Sequence, residues 1–282
     1  MTQGAVSQQV KSLELELGVR LFNRGHQKLT LTDSGRQYQA VVRDALDRIS
    51  FGTERLVQRQ TSGILTVSTS PDFAAKWLVH RLSRFAEIHP GTDLRVSAAM
   101  HHVDFSREDV DVAVRHGDGI WAGLDAARLA DAEELFPVCS PRLISARGGK
   151  ARTAELLKVP LLHLDSREDW SHWLAVAGMP QARPKHGPVM NRASMLIDAA
   201  VDGQGVALAR TTLAARDLLS GRLVRPFAVS LPLSKTYWVV CPEAASMLPK
   251  IVRFRDWLIA EAADDKRRLD AQRRAAWQLN PR

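Results

Sequence analysis

The spacing of the apolar residues changes abruptly at residues 61–63, and this change limits the chain to two differently built parts. Before it, Tyr38, Val42, Ala45 and Ile49 follow one another at intervals of four, three and four residues, the period of a helix. After it, short alternating apolar runs take turns with longer amphipathic segments. Thr-Ser-Gly at the change is typical of a linker. The sequence therefore predicts a helical front followed by an α/β part.

The part that begins at residue 63 is predicted to form α/β domains with largely parallel sheets, because strands and helices alternate along it. Strands are expected at 64–69, 94–98, 110–114, 136–139, 161–164, 206–209 and 237–241. Helices are expected from Pro71 to about residue 88, and at 167–176, 194–202, 213–220 and 248–262.

The first helix is predicted to begin after Thr2, as its cap, and to end at Gly18. One face carries an apolar stripe formed by Val6, Val10, Leu13 and Leu17. The opposite face carries side chains of the kinds that contact base edges and phosphates in a major groove, namely Gln3, Ser7, Gln8 and Lys11. Residues 19–24 and 28–31 flank Gly-His-Gln, which predicts a short hairpin or wing.

A second helix is predicted from Thr32 to about Thr61, and its apolar seam continues through Gly52 and Leu56. A heptad seam is typical of a helix that pairs with a copy of itself. A helix that lies on a globular body is the alternative.

Charge and cysteine content narrow the class of protein. The net charge is +8, and residues 1–62 carry 9 Lys and Arg against 6 Asp and Glu. Residues 264–282 carry 6 against 3. Basic ends favour an acidic partner such as nucleic acid, with solvated tails as an equally good interpretation. Two cysteines make no disulfide framework, and no apolar run reaches the roughly 18 residues of a membrane helix, so a cytoplasmic protein is expected.

Several stretches carry a family resemblance. TQGAVSQQVKSLELELGVRLFNR followed by LTLTDSGR resembles the winged helix-turn-helix of LysR-type transcriptional regulators. LTVSTSPDFAAKWLVHRLSRFAEIHPGTDLRV, DVDVAVRHGDG and DAAVDGQGVALA resemble that family's effector domain. Together with LFPVCSP and HLDSREDW, they resemble the subgroup of the glycine-cleavage activators and the AmpR β-lactamase regulators.

The resemblance implies an α/β fold class with four parts. They are a partial winged helix-turn-helix at 1–31, a linker and dimerisation helix at 32–62, an effector domain at 63–263, and a basic, solvated tail at 264–282. The effector domain would resemble a periplasmic binding protein, with one subdomain at 63–138 and 241–263 and the other at 139–240. The family places two helices before the recognition helix, so the resemblance also implies a missing front, through a misassigned start or a truncation.

Two expected sites follow. The resemblance implies DNA contacts from the first helix and the wing, by Gln3, Gly4, Ser7, Gln8, Lys11, Arg20, Arg24 and Lys28. In the effector domain, three hydroxyl residues precede Pro71 at a predicted helix start, where free N–H groups favour an anion. A second helix start at 191–194 would face the same cleft. The expected effector-binding set is Ser68, Thr69, Ser70, Arg115, His163, Asn191, Ser194 and Trp238.

The sequence thus predicts a DNA-binding transcriptional regulator whose effector is small and anionic or amino-acid-like. Expected partners are double-stranded promoter DNA, the effector, further copies of the chain in a dimer or tetramer, and RNA polymerase; no membrane partner is expected. No cofactor, metal or catalytic residue is predicted, since the chain has neither a Gly-x-Ser-x-Gly nor a His-Glu-x-x-His motif. The alternative is a solute-binding module that makes no productive contact with DNA.

Overall fold

The computed structural model describes residues 2–24, 29–61, 63–130, 133–145, 159–165, 168–182 and 187–278. The chain divides into two compact units, Met1–Ser62 and Gly63–Arg282. The division falls in the Thr-Ser-Gly segment where the apolar pattern changes.

The first unit contains two helices joined by a hairpin. Helix α1 spans Gln3–Leu17, strands β1 and β2 span Phe22–Arg24 and Leu29–Leu31, and helix α2 spans Asp33–Thr61. The strands pair antiparallel, which is the arrangement of the predicted wing. Residues 25–28 at its tip lie outside the described residues.

The two ends of α1 differ from each other. Gly18 ends the helix in the left-handed conformation with φ 68°, as predicted. Thr2 stands at the predicted cap position, but its side chain makes no capping hydrogen bond. No residue of α1 is buried, and Leu15 is 82% exposed. The described residues of the first unit therefore leave the apolar stripe of α1 largely uncovered.

Thr32 and Gly35 connect α2 to the segment that follows α1. The hydroxyl of Thr32 accepts a hydrogen bond from the Gly35 N–H at 2.9 Å and donates one to the Arg20 carbonyl at 2.7 Å. A Cβ on Gly35 would lie 2.0 Å from the carbonyl oxygen of Leu21, so only glycine fits. Glu14 connects α1 itself to the same segment, because its carboxylate accepts hydrogen bonds from the N–H groups of Leu21 and Phe22 at 2.8 and 3.0 Å.

The predicted heptad seam of α2 faces solvent within this chain. Tyr38 and Val42 are each 37% exposed and Ile49 is 64% exposed. These side chains form an apolar surface along a long helix, which is the surface that a second helix would cover.

The second unit contains two five-stranded sheets. The first sheet has the order β4-β3-β5-β12-β6. Its strands are β3 (Ile64–Thr69), β4 (Asp93–Ala98), β5 (Val112–Gly117), β6 (Leu124–Arg128) and β12 (Thr236–Pro242). The second sheet has the order β11-β7-β10-β8-β9. Its strands are β7 (Glu133–Val138), β8 (Leu161–Leu164), β9 (Val189–Met190), β10 (Val206–Arg210) and β11 (Leu231–Leu233).

We call each sheet with its covering helices the first and the second subdomain. The chain passes between them after β6 and again after β11, so the predicted limits at 138 and 241 are shifted. The segment 133–138 pairs antiparallel with β10 in the second sheet, and 236–240 pairs with β5 in the first. Both sheets are mixed rather than largely parallel, because the strand that enters after each crossover runs against its neighbours.

Helices cover both sheets. A continuous helical segment covers the first: α3 (Pro71–Phe73), a π-turn (Ala74–Leu78), a 3₁₀ turn (Val79–Arg81) and α4 (Leu82–Ile88). The second subdomain contains α5 (Pro141–Ser145), α6 (Glu168–Val176), α7 (Ala193–Val201) and α8 (Thr211–Leu219). One apolar cluster runs from Leu65 and Phe73 in the first subdomain to Leu196 and Leu213 in the second.

The last helix, α9, spans Pro249–Gln278 and corrects two expectations. The sequence predicts that it ends near residue 262 and that the following tail is a solvated helix or a frayed end. Instead Asp265 and Leu269 are buried, because the helix continues across α8. No helix in the described part of the chain is both long and apolar enough to cross a membrane.

Candidate functional site

The second unit has a cavity of about 200 Å³ between its two sheets. Its apolar lining comes mainly from the second subdomain and includes Leu135, Leu162, Leu164, Trp170, Ala193, Leu196, Leu208 and Leu233. Its polar lining comes from both subdomains and consists of His116, Asp169, Arg210, Ser234 and Lys235. Apolar walls with a few polar groups are typical of small-molecule sites.

The crossing of the chain between the sheets places the basic side chains at this cavity. Arg210 is the last residue of β10, and Lys235 lies in the crossover between β11 and β12. His116 is on β5 opposite Tyr237, and their rings are 5.0 Å apart. Each subdomain or crossover therefore contributes one basic residue to the lining.

The electrostatics of His116 follow from this position. Burial, followed by the charges of Arg210 and Lys235, lowers the pKa of His116 to about 4. The imidazole is therefore neutral at pH 7. Its Nε2 is buried and has no hydrogen-bond partner among the residues that the structure describes. An unpaired buried polar atom in the lining is a ready partner for a ligand or a water molecule.

Nearby carboxylates balance part of this positive charge. Burial raises the pKa of Glu133, although Thr212 donates hydrogen bonds to that carboxylate and Arg210 stabilises its charged form. Lys235 Nζ lies 4.0 Å from the Asp118 carboxylate at the surface. Among the described residues of the lining itself, Asp169 is the single carboxylate. The cavity therefore suits an anion or a zwitterion with excess negative charge.

The predicted effector residues lie elsewhere, and three of them lie on the other face of the first sheet. Ser68 Oγ accepts a hydrogen bond from Arg115 Nη2 at 2.7 Å, so these two residues do meet. Trp238 is the cross-strand neighbour of Arg115, whereas Tyr237 is the neighbour of His116. Successive residues of a strand point to opposite faces. The Arg115 face is thus turned away from the cavity.

Arg115 is held within the protein itself. Its Nη1 donates to the Val114 carbonyl at 2.9 Å, and burial lowers its pKa. Trp238 Nε1 donates to the Gly117 carbonyl at 3.0 Å. Ser70 is a helix cap, because its Oγ accepts the N–H of Phe73 at 3.3 Å. Thr69 is completely buried.

The predicted helix start at 191–194 already holds a carboxylate. Asp72 Oδ1 accepts hydrogen bonds from the N–H and the hydroxyl of Ser194, at 2.9 and 2.7 Å. The two predicted helix starts thus meet, but the negative charge between them belongs to the protein. Asn191 is exposed. His163 is buried between Leu162 and Leu164, which line the cavity, so His163 faces the opposite side of its strand.

None of the eight predicted effector residues is among the described residues that line the cavity. The basic residues that line it, His116, Arg210 and Lys235, are not among the predicted ones. One signal was present: Arg210 comes directly after the buried run VALA and His116 two residues after the buried run VAV, near the strand ends where ligands of α/β sheets bind.

The predicted DNA-binding residues of α1 all lie on its surface. Gln3, Gly4, Ser7, Gln8 and Lys11 are exposed, and so is Arg20 after the helix. Arg24 ends β1, and Lys28 lies outside the described residues. The spacing of the first five residues places them along one side of the helix.

Two family profiles match the chain. The profile "LysR substrate binding domain" matches residues 58–263, and "Bacterial regulatory helix-turn-helix protein, lysR family" matches residues 1–36. The chain belongs to the LysR family of transcriptional regulators. The predicted family and the predicted effector-domain fold are thereby confirmed.

Individual relatives place this LysR-type regulator in the predicted subgroup. It is 40% identical over 266 residues to the "Glycine cleavage system transcriptional activator" of Escherichia coli strain K12, covering 94% of this chain and 87% of that protein. It is 36% identical over 268 residues to the "HTH-type transcriptional activator AmpR" of Pseudomonas aeruginosa, covering 95% and 89%.

The effector unit of this LysR-type regulator also has a solved counterpart. The crystal structure of the effector domain of AmpR from Pseudomonas aeruginosa matches with a TM-score of 0.58 and 33% identity, covering 73% of this chain and 98% of that one. The relatives are transcriptional regulators and not enzymes, which agrees with the absence of a predicted catalytic motif.

Proposed function

We propose that this LysR-type regulator controls transcription in response to a small anionic or amino-acid-like effector bound in the cavity between its subdomains. The observation that carries the proposal is the pair of basic side chains, Arg210 and Lys235, in an otherwise mainly apolar lining. A carboxylate would bind between them, and Asp169 would accept an ammonium group of a zwitterion. The name of the Escherichia coli relative refers to glycine cleavage, so amino acids are the first probes.

A ligand screen tests the effector site. Thermal unfolding of the full chain is measured with each amino acid and with small dicarboxylates. A true effector present at 100 times its Kd is expected to raise Tm by roughly 5 °C. For any effector found, Arg210→Ala should weaken binding by at least about tenfold in calorimetry.

Arg253→Ala is the matched control for that substitution, because Arg253 is exposed on α9 and outside the lining. Equal affinity in the parent, Arg210→Ala and Arg253→Ala would place the effector outside this cavity.

The DNA contact is proposed for the exposed side of α1 and for the wing. Gln3, Ser7, Gln8 and Lys11 would contact bases or phosphates, while Arg20, Arg24 and Lys28 would contact phosphates and set the register. The exposed seam of α2 would pair two protomers and thereby fix the spacing of the half-sites. Fluorescence anisotropy on the chain's own upstream promoter fragment, with a scrambled fragment beside it, tests this proposal across a salt series.

Specific binding should weaken as salt rises, with a slope of about −0.9 per phosphate contact. The alternative function, an effector-binding module without productive DNA contact, is favoured by one observation. The apolar stripe of α1 is exposed, with Val6 at 46% and Leu17 at 42%. Promoter binding no stronger than binding to the scrambled fragment would support that alternative.

A further inference from the structure

Helix α9 begins on one subdomain and ends on the other. Near its start, Lys250 Nζ donates to the Asp111 carboxylate at 2.8 Å, and Phe254 and Trp257 pack against Phe85, all in the first subdomain. At 1.5 Å per residue, its 30 residues extend about 45 Å, which is long enough to span both subdomains.

Asp265 holds the middle of α9 on the first subdomain. Its carboxylate accepts a hydrogen bond from Trp77 Nε1 at 2.8 Å and two from Arg81 Nη2 at 2.6 and 2.8 Å. The Arg81 guanidinium also lies 4.2 Å from the centre of the Trp77 ring. All three side chains are buried, so the contact is shielded from solvent and fixes the position of α9.

The next two turns of α9 contact the second subdomain. Leu269 is 9% exposed and belongs to the apolar cluster that includes α8. Gln272 Nε2 donates to the Leu218 carbonyl at the end of α8, at 3.1 Å. Arg273 lies 3.8 Å from the carboxylate of Glu134 on β7. A single rigid element is thus attached to both sides of the two crossovers.

We propose that residues 265–273 form a strap that bridges the two subdomains away from the effector cavity and limits their movement about the crossovers. The strap holds the two walls of the cavity at the separation seen here, and its release lets them move apart. The strap itself is independent of the proposed function; only a role of this movement in the response to an effector rests on it. A second bridge also connects the subdomains. Lys76, which directly precedes Trp77 in the helical segment 71–88, forms ion pairs with Asp198 on α7 and Asp217 on α8.

Hydrogen exchange of the full chain tests the strap without any ligand. Leu269→Ala removes a buried apolar side chain from the part of α9 that contacts the second subdomain. The amides of residues 133–136, 138, 231 and 233–237, which adjoin the crossovers, are expected to exchange roughly tenfold faster in this variant. Gln272→Ala, which removes one hydrogen bond at the surface of α8, is expected to accelerate the same amides about twofold to threefold.

Two controls separate release of the strap from general destabilisation. Leu258→Ala removes the same type of side chain from the part of α9 that packs on the first subdomain. It should accelerate amide exchange in β3 and β5 more than exchange of the crossover amides. Arg268→Ala changes an exposed neighbour and should change neither region. If Leu269→Ala does not fold, the Gln272→Ala result decides.

Unchanged crossover amides in both strap variants would overturn the proposal and leave the end of α9 as a stabilising helix alone. That result would not affect the effector proposal, which is tested separately by ligand binding to Arg210→Ala.

Discussion

Two groups of charged residues in the effector unit differ in how their charges are matched. Where the helical segment 71–88 meets α7, α8 and α9, each buried cation faces a carboxylate: Lys76 contacts Asp217, and Arg81 contacts Asp265. The cavity lining contains two cations, Arg210 and Lys235, and among its described residues one carboxylate, that of the exposed Asp169. A structural contact needs matched charge to offset desolvation, whereas a binding site gains from an excess that a ligand can neutralise.

The largest expected effect comes from breaking the matched group at Lys76. Among the described residues, Lys76→Met leaves Asp217, which is 1% exposed, with Arg222 as its one cationic partner. We expect the free energy of unfolding to fall by about 3 kcal/mol, since loss of one partner strands a buried charge. Urea unfolding measures this fall. Arg48→Ala, in an exposed pair with Asp44, should change stability by less than about 0.5 kcal/mol.

Asp265→Asn should have the next largest effect. The amide keeps the shape of the side chain but cannot accept the charged hydrogen bonds of Arg81 as strongly. A loss of about 2 kcal/mol in the free energy of unfolding is expected, because charge-assisted bonds in a buried site are replaced by weaker ones. Stability equal to that of the parent would mean that the matched group contributes little.

His116 adds a pH dependence on the side of the cavity. Its pKa is lowered to about 4 in the folded chain from 6.5. The unfolded chain therefore binds more protons between these values, so stability falls as pH drops from 6.5 towards 4. Because the ring is partly solvent-screened, we expect His116 to account for only about 1 to 2 kcal/mol of that fall. Unfolding free energies at pH 7 and 4.5 measure it.

His116→Gln isolates this contribution, since the glutamine does not titrate. The difference in stability between the variant and the parent should change with pH in the stated range. A constant difference would show that the charge of His116 does not oppose folding.

The smallest effect is expected at the contact between the helix starts. Ser194→Ala removes one hydroxyl hydrogen bond to Asp72 and keeps the backbone N–H contact. A loss of about 1 kcal/mol in unfolding free energy is expected. If Ser194 binds the effector instead, the substitution would weaken ligand binding and leave stability unchanged.

Much of the fold could be predicted from local pattern. The Thr-Ser-Gly boundary, the helix end at Gly18 and the strands at 64–69 and 161–164 follow from residue spacing and from the backbone freedom of glycine. The short strands β9 and β11 were missed, because two or three residues contain no readable period. The sequence predicts an earlier end for α9, because the segment after residue 263 is rich in charged residues, which are usually exposed. In the structure Asp265 is buried against Arg81 and Trp77.

In the candidate site, too, some features could be predicted from local sequence and others could not. The predicted basic residue near the end of β5 is Arg115, whereas the residue that lines the cavity is its neighbour His116. The sequence also predicts that the helix starts at 68–70 and 191–194 face one cleft, but not that the Asp72 carboxylate lies between them. Residue type alone does not distinguish Arg115 from His116, since both are basic residues near the end of β5.

The sequence by itself therefore determined the family, the two units, the α/β effector fold and the exposed polar side of α1, because each is encoded by local spacing or by motifs of adjacent residues. Only the tertiary structure decided which basic residues line the cavity, where the chain crosses between the sheets, and that α9 ends on the second subdomain. These features depend on strand register and on contacts such as that of Arg81 with Asp265, 184 residues apart, and no local period records such a distance.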